Sequence, residues 1–172
     1  DAPEVNDIPD KSFLEDGTIQ IDLDNYITDI DNTDAEITWT YAGNVNIVID
    51  VDGDTHIATF SAPANWNGQE TITFRATDPD GLFDEDSLVV TVTAVNDAPV
   101  IENIPNKNID EDSGLHDNLV VLEDFASDAE TASGSLTYTI LSQTDTSVVD
   151  CVIDGDNKLD CTTKPTKSGS SD

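Results

Sequence analysis

Positive charge is nearly missing from the sequence. Six Lys and Arg residues stand against 37 Asp and Glu, a formal net charge of −31 over 172 residues. With no basic patch to neutralise phosphates and release counterions, nucleic acid partners are excluded. No apolar run approaches the ~20 residues needed to span a bilayer, so no membrane insertion is expected in this fragment. No Asn-x-Ser/Thr acceptor occurs, which removes one marker of a eukaryotic secreted surface. No amphipathic helical period stands out. There is also no constellation for catalysis: no pocket-forming insertion surrounds the many carboxylate pairs, and no context presents a Ser-His-Asp nucleophile.

The excess of acid is mostly Asp, 28 against 9 Glu. Asp is a poor strand former and a good turn residue, and its short carboxylate suits calcium, which takes 6–8 oxygen ligands. So much like charge opposes compaction. Bound calcium, a high-salt habitat and an ordinary acidic surface each account for it. High acidity also accompanies disorder, but strand-type alternation is plain, and Trp39, Trp66, Phe60, Phe74 and Tyr138 supply core material.

Internal repetition organises the chain. Asp1-Ala2-Pro3-Glu4-Val5 returns as Asp97-Ala98-Pro99-Val100-Ile101, and Glu15-Asp16 as Glu111-Asp112. Leu23-Asp24-Asn25-Tyr26 returns as Leu122-Glu123-Asp124-Phe125 after a short insertion near Ser113–Asp117. Ile37-Thr38-Trp39 matches Leu136-Thr137-Tyr138, and Asp52-Gly53-Asp54 matches Asp154-Gly155-Asp156. The first repeat is read as residues 1–96. The second, 97–163, is incomplete: it has no counterpart of the last two strands around Thr71–Thr77 and Leu88–Thr93. A Ser/Gly/Lys-rich tail, 164–172, is expected to be mobile. The first residues read as mid-protein sequence, so the chain is expected to belong to a longer one. The missing strands then lie elsewhere in the native chain or are supplied by another through strand exchange.

Short alternating segments between Asp/Asn/Gly/Pro clusters predict an all-β fold of tandem Greek-key sandwiches. In the first repeat, strands are expected near 4–13, 18–23, 36–42, 45–51, 55–61, 69–77 and 86–95. Cys151 and Cys161 flank a turn at Gly155, and a hairpin there sets them opposite each other at disulfide distance. A disulfide implies an oxidising compartment; two free, buried thiols are the alternative.

Five motifs resemble those of prokaryotic cadherin-like and immunoglobulin-like tandem repeats of large surface adhesins. They are the linker Val95-Asn96-Asp97-Ala98-Pro99-Val100, the turn Glu15-Asp16-Gly17-Thr18, the pair Asp29-Ile30-Asp31, the run Phe60-Ser61-Ala62-Pro63-Ala64-Asn65-Trp66-Asn67-Gly68, and Ala76-Thr77-Asp78-Pro79-Asp80-Gly81. The resemblance implies a calcium-stiffened structural or adhesion module at an extracellular cell surface, with Ca2+ at the repeat junctions and neighbouring repeats of the same polypeptide as partners. Homotypic contact is a further possibility that it leaves open. Ala94 and Asn65-Trp66-Asn67-Gly68 depart from the acidic pattern of animal cadherins, which implies one or two ions per junction.

Spacing tests which acids meet. Fourteen residues of strand span at most ~45 Å, about one domain. Asp1 and Glu15 then sit at opposite poles, and the next strand returns Asp29 and Asp31 to the first. The loop Asp78–Asp86 joins them there. The near pole gathers Asp1, Asp29, Asp31, Asp78 and Asp80; the far pole gathers Glu15, Asn96, Asp97, Asp128 and Glu130. Unpaired, such acids would raise one another's pKa values. The second functional class is a carbohydrate- or protein-binding module, with Trp39 and Trp66 as a stacking platform; core packing is the expected role of both. The Asp50-Val51-Asp52-Gly53-Asp54 run lacks the later residues of a helix–loop–helix calcium loop and reads as a β-turn. His56 and His116 have no metal-spaced partner and are expected at the surface.

Overall fold

The computed structural model describes residues 1–165; from residue 166 onward the expected tail lies outside the described residues. The chain divides into a unit Asp1–Val95 and a unit beginning at Asn96. Among the described residues no helix is long and apolar enough to cross a membrane.

The first unit has nine strands: β1 Glu4–Val5, β2 Lys11–Leu14, β3 Thr18–Asp22, β4 Ile27–Thr28, β5 Thr38–Ala42, β6 Val48–Val51, β7 Ile57–Ser61, β8 Gly68–Thr77 and β9 Phe83–Thr93. They form a four-stranded sheet in the order β2-β9-β8-β5, a three-stranded sheet β3-β7-β6 and a short β1-β4 pair. The sheets face each other as a sandwich. Alternate residues point inward, as the two-residue period of a strand requires: Ile72, Phe74 and Ala76 from β8, Leu88, Val90 and Val92 from β9, Ala58 and Phe60 from β7, and Ile21 from β3. Phe74 meets Phe60 edge-on across the gap, at 6.1 Å between ring centres, and Trp39 at 6.3 Å.

Several boundaries differ from the sequence reading. The first expected strand, 4–13, breaks into β1 and β2. Pro9 lies in the gap and offers no N–H to a ladder. Side-chain carboxylates do the ladder's work there: Asp84 accepts from the Val5 N–H at 2.9 Å, Asp86 from Ile8 at 2.7 Å, and Asp10 from Val89 at 2.8 Å. The last strand starts at Phe83, so the β8–β9 loop is only Asp78–Leu82. Short 3-10 turns at Leu23–Tyr26 and Asp34–Glu36 fill two connections.

The second unit holds β10 Val100–Ile101, β11 Leu115–Val121, β12 Ala126–Ser127, β13 Val149–Ile153 and β14 Lys158–Thr163. They pair as β11-β14-β13 and β10-β12. These are the counterparts of β3-β7-β6 and β1-β4, down to single bonds. Leu23 N–H donates to His56 O at 3.2 Å in one unit, and Leu122 N–H to Asn157 O at 3.1 Å in the other. Two strands were expected to be missing, but among the described residues the whole second sheet has no counterpart. The reason is in the pairing. β2 is hydrogen-bonded only to β9, and β5 only to β8. Without a β8–β9 pair, the segments matching β2 and β5, around 107–110 and 136–141, have nothing to join and form no strand.

Cys151 and Cys161 face each other in the β13–β14 register and form a disulfide, with Cα atoms 4.1 Å apart. Matching His56 with Asn157 shows where it sits. In the first unit the same cross-strand position is the buried pair Ile49–Phe60. A covalent bond replaces an apolar core pair in the unit whose core is open. Reduction should therefore lower the stability of the second unit by roughly 2–4 kcal/mol, the usual range for closing such a loop. Calorimetric scans with and without reductant check this: the transition of the first unit, which contains no cysteine, stays in place.

Candidate functional site at the start of each unit

The expected near pole assembles within the first unit. Asp29 follows the short strand β4, and its Oδ1 accepts the backbone N–H groups of Asp31 (3.0 Å) and Asn32 (2.9 Å). This is an Asx turn, the local bond that a short acid makes two and three residues ahead. It leaves Oδ2 buried with no hydrogen-bond partner. Asp31 is exposed, and both its oxygens accept from the α-ammonium of Asp1, at 3.0 and 2.8 Å. Asp78 is 5% exposed at the β8–β9 turn, where its Oδ1 accepts from Leu82 N–H at 2.8 Å. Gly81 makes that turn possible with a φ of +84°. Asp80 lies exposed on the same turn.

Electrostatics tie these groups together. The Asp1 amino group is held above its ordinary value by its hydrogen bond to Asp31, and then by the charges of Asp31, Asp29 and Asp78, which burial opposes. All three acids thus act on one cation. Asp29 itself is held below the ordinary carboxylate range, first by the Asp31 N–H, then by that of Asn32, against the opposing effect of burial. At Asp29 this corrects the expectation that the acids would raise one another's pKa values: backbone donors outweigh burial. Glu36 was missed by sequence reasoning. Its carboxylate accepts from Thr33 N–H and Oγ1, both at 2.9 Å, and it feels the charge of Asp29. The Thr33-x-x-Glu36 spacing of a capping box is the signal that marks it.

The expected far-pole residues fall in both units. Glu15 belongs to the first unit, at the other end of β9 from Asp78, roughly 35 Å along a strand rising ~3.4 Å per residue. It is 3% exposed; Oε1 accepts Val95 N–H at 2.6 Å, and Oε2 is buried without a partner. Asn96, Asp97, Asp128 and Glu130 belong to the second unit. There Asp128 Oδ1 accepts the N–H groups of Glu130 (3.1 Å) and Thr131 (2.7 Å), repeating the Asp29 turn. The backbone N–H of Asp97 donates to Glu130 at 2.9 Å, where Asp1 uses its ammonium on Asp31. Asn96 Nδ2 donates to the Asp97 carbonyl. The geometry therefore does not need a free amino terminus.

Among the described residues, no three Asp, Glu, His or Cys side chains are already drawn into a metal-binding group. The donor chemistry nonetheless suits a hard cation, because every ligand at the pole is an oxygen. The described residues leave three buried side-chain polar atoms unpartnered, and two are carboxylate oxygens of predicted ligands, on Glu15 and Asp29; the third is Trp39 Nε1.

The other singled-out residues are structural. His56 is not at the surface: it is 3% exposed, with Nδ1 2.6 Å from Asp24 Oδ1, and it takes φ +50°. His116 is half-buried beside Ser113. Trp39 is 8% exposed, and Trp66 is half-buried, packed against the core with its ring over Gly68. Asp52 Oδ1 accepts from Asp54 and Thr55 N–H, a plain turn.

The sign of each pKa shift fixes a pH window. Asp29, depressed on folding, adds stability above the ordinary carboxylate range and loses it as pH falls through its folded value. The Asp1 amino group, raised on folding, adds stability below the ordinary amino-terminal range and loses it as pH rises through its folded value. The protection of the Asp31 and Asn32 N–H groups against hydrogen exchange, taken relative to their intrinsic rates, should fall on acidification in wild type and should already be lost at neutral pH in Asp29→Ala.

A comparison with curated protein sequences found no match. Among solved structures, an endo-fucoidan hydrolase of glycoside hydrolase family 107 aligns with 98% of this chain at 18% identity and a TM-score of 0.47. The PKD domain from the KIAA 1837 protein aligns with 61% of the chain at 16% identity and a TM-score of 0.37, over 93% of its own length. The protocadherin GammaB4 extracellular domain aligns with 99% of the chain at 14% identity and a TM-score of 0.45. The chain spans 25% of the hydrolase and 30% of the protocadherin. Residues 1–93 match a family model described as a bacterial Ig domain, and the chain belongs to that family.

Proposed function

We infer that this protein is a non-catalytic structural module of an extracellular surface array, and that calcium stiffens the entry of each unit. The observation that carries the reading is the buried, unpartnered Oδ2 of Asp29, beside two further acids that already act on one cation. A divalent ion there would be held by Asp29, Asp31 and Asp78, with Asp80 on the same turn within the same acidic set. In the second unit Asp97, Asp128 and Glu130 form the matching set, without a counterpart of Asp78 among the described residues. Glu15, with its unpartnered Oε2, is a separate candidate at the other end of the first unit.

Bound calcium supplies positive charge and oxygen coordination. The chain's own residues do the rest. Asp29 and Asp128 arrive pre-aimed, because backbone N–H groups fix one oxygen of each. Asp78 brings in the β8–β9 turn, and the segment Asp1–Val5 is drawn onto both loops. Entry segment, first loop and hairpin turn would then move as one body. The disulfide supports an oxidising, extracellular setting, since such bonds persist there and are rare in the cytosol.

Calorimetric titration with calcium, in low and in molar sodium chloride, tests the reading. Specific sites give stoichiometric heat that persists in molar salt, where screening reaches ~3 Å. Asp29→Asn should remove one site or weaken it at least tenfold, and chelation should lower the melting temperature of wild type. Heat that vanishes in salt, with melting indifferent to chelation, would contradict it and leave only a screened acidic surface.

A further inference from the structure

We propose that the outer face of the sheet β2-β9-β8-β5 in the first unit is a contact surface for a second copy of this chain. The face stands out by its charge. One set of alternate residues on these strands packs the core, so the other set points outward. Along the four strands the outward positions carry two charged side chains, Arg75 and Glu85, which pair with each other at 2.6 Å. The remaining outward positions are hydroxyl, amide or apolar residues. Asp84 and Asp86 of β9 belong to the inward set, where they hold the Val5 and Ile8 N–H groups. By contrast, the outer face of β3-β7-β6 carries Asp22 and Asp50 and no cation. A face of zero net charge, about 35 Å long, is thus set in a chain of net charge −31.

The charge selects the occupant. A cationic partner would be drawn to the acidic surfaces instead, and an uncharged partner gains nothing from neutrality. A neutral face matters most to a partner as acidic as this chain, because close approach there avoids like-charge repulsion. A second copy meets that condition, and the face is self-complementary. A two-fold axis sets a patch against itself, so the adjacent Arg75 and Glu85 can each meet the opposite charge on the other copy. The side chains around them suit a protein contact. Arg75 lies 4.1 Å over the ring of Phe83, which is 50% exposed; arginine and aromatic residues are enriched in interfaces from which other charges are depleted. The Thr73 and Ser87 hydroxyls bond to each other across the strands at 2.8 Å, so their desolvation costs less. Thr40, Ala42 and Thr73 line a recess of about 140 Å³ beside the ion pair, room for a side chain of the other copy.

Area sets the strength. The face is built from strands of 4, 11, 10 and 5 residues. At ~3.4 Å per residue and ~4.8 Å between strands, that is roughly 500 Å² on each copy. The total of about 1,000 Å² is the lower bound of a specific interface, so the dimer is weak and reversible. Repulsion between the acidic remainders of the two copies opposes it, and salt, by screening that repulsion, should strengthen it. No step needs calcium, so this outcome and that of the metal reading are separable.

The test is analytical ultracentrifugation of the full chain with chelator present, in low and in molar sodium chloride, with backbone amides followed by NMR on dilution. The expected result is a monomer–dimer equilibrium that tightens severalfold in molar salt, with dilution shifts centred on Thr73, Arg75, Glu85 and Ser87. Thr73→Asp should weaken association at least tenfold. Gln20→Glu, which adds the same charge to the outer face of the opposite sheet, should leave it unchanged. Arg75→Glu should weaken association likewise, and adding Glu85→Arg to it should restore it. Unchanged melting temperatures show that the variants remain folded, and the wild-type dilution shifts need no variant at all. Three results would overturn the proposal: a monomer under every condition, dilution shifts confined to the second unit or the opposite sheet, or a monomer whose face responds instead to a soluble neutral glucan, which would make it a carbohydrate site.

Discussion

A carboxylate that accepts backbone N–H groups is fixed in position and kept charged, and this contact recurs throughout the molecule. Asp29 and Asp128 hold the loops that follow them. Glu70 accepts from the N–H groups of Val45, Asn46 and Ile47 and pins the loop before β6. Burial presses its pKa upward, but these donors outweigh that pressure and hold it below the ordinary range. Asp84 and Asp86 fasten the entry segment to β9. The net charge of −31 is thus in part a set of structural hydrogen bonds. Each one leaves a negative charge that cannot turn away from its neighbours. At the start of the first unit the charges of Asp29, Asp31 and Asp78 all act on the amino group of Asp1.

The second dependency is the β8–β9 hairpin. It carries six of the seventeen buried apolar residues in the core of the first unit and is the sole ladder partner of both β2 and β5. The two units form a natural comparison. With the hairpin, a sandwich closes and buries Phe60 and Phe74 completely. Without it, one sheet survives on a small core of Val120, Leu122 and Cys161, held by a disulfide where Ile49 and Phe60 would otherwise meet.

Much of this was legible in the sequence. Two-residue alternation located seven strand regions, because each strand buries one face. The repeat matched the sheet β3-β7-β6 with β11-β14-β13, and the cysteine spacing across a Gly turn gave the disulfide. The convergence of Asp1, Asp29, Asp31 and Asp78 followed from counting strand lengths. What escaped depends on partners distant in sequence. That the segments matching β2 and β5 form no strand among the described residues is a property of ladder connectivity, which pattern alone does not show. The inward turn of His56 depends on Asp24, in a segment far from it in the chain. The roles of Asp84 and Asp86 arise from the break at Pro9, since side chains replace a ladder only where the ladder fails. Glu36 had a local signal, and only its proximity to Asp29 was hidden.

The central claim is that these acids form a place, not merely a surface. The direct measurement is paramagnetic relaxation of backbone amides on addition of a trace lanthanide ion, which occupies calcium-type oxygen sites. The account predicts steep, saturable broadening centred on Asp29–Asn32 and Asp78–Leu82, repeated at Asp128–Thr131, and competed away by calcium. Broadening spread evenly over the acidic residues, with no focus at either loop, would contradict it.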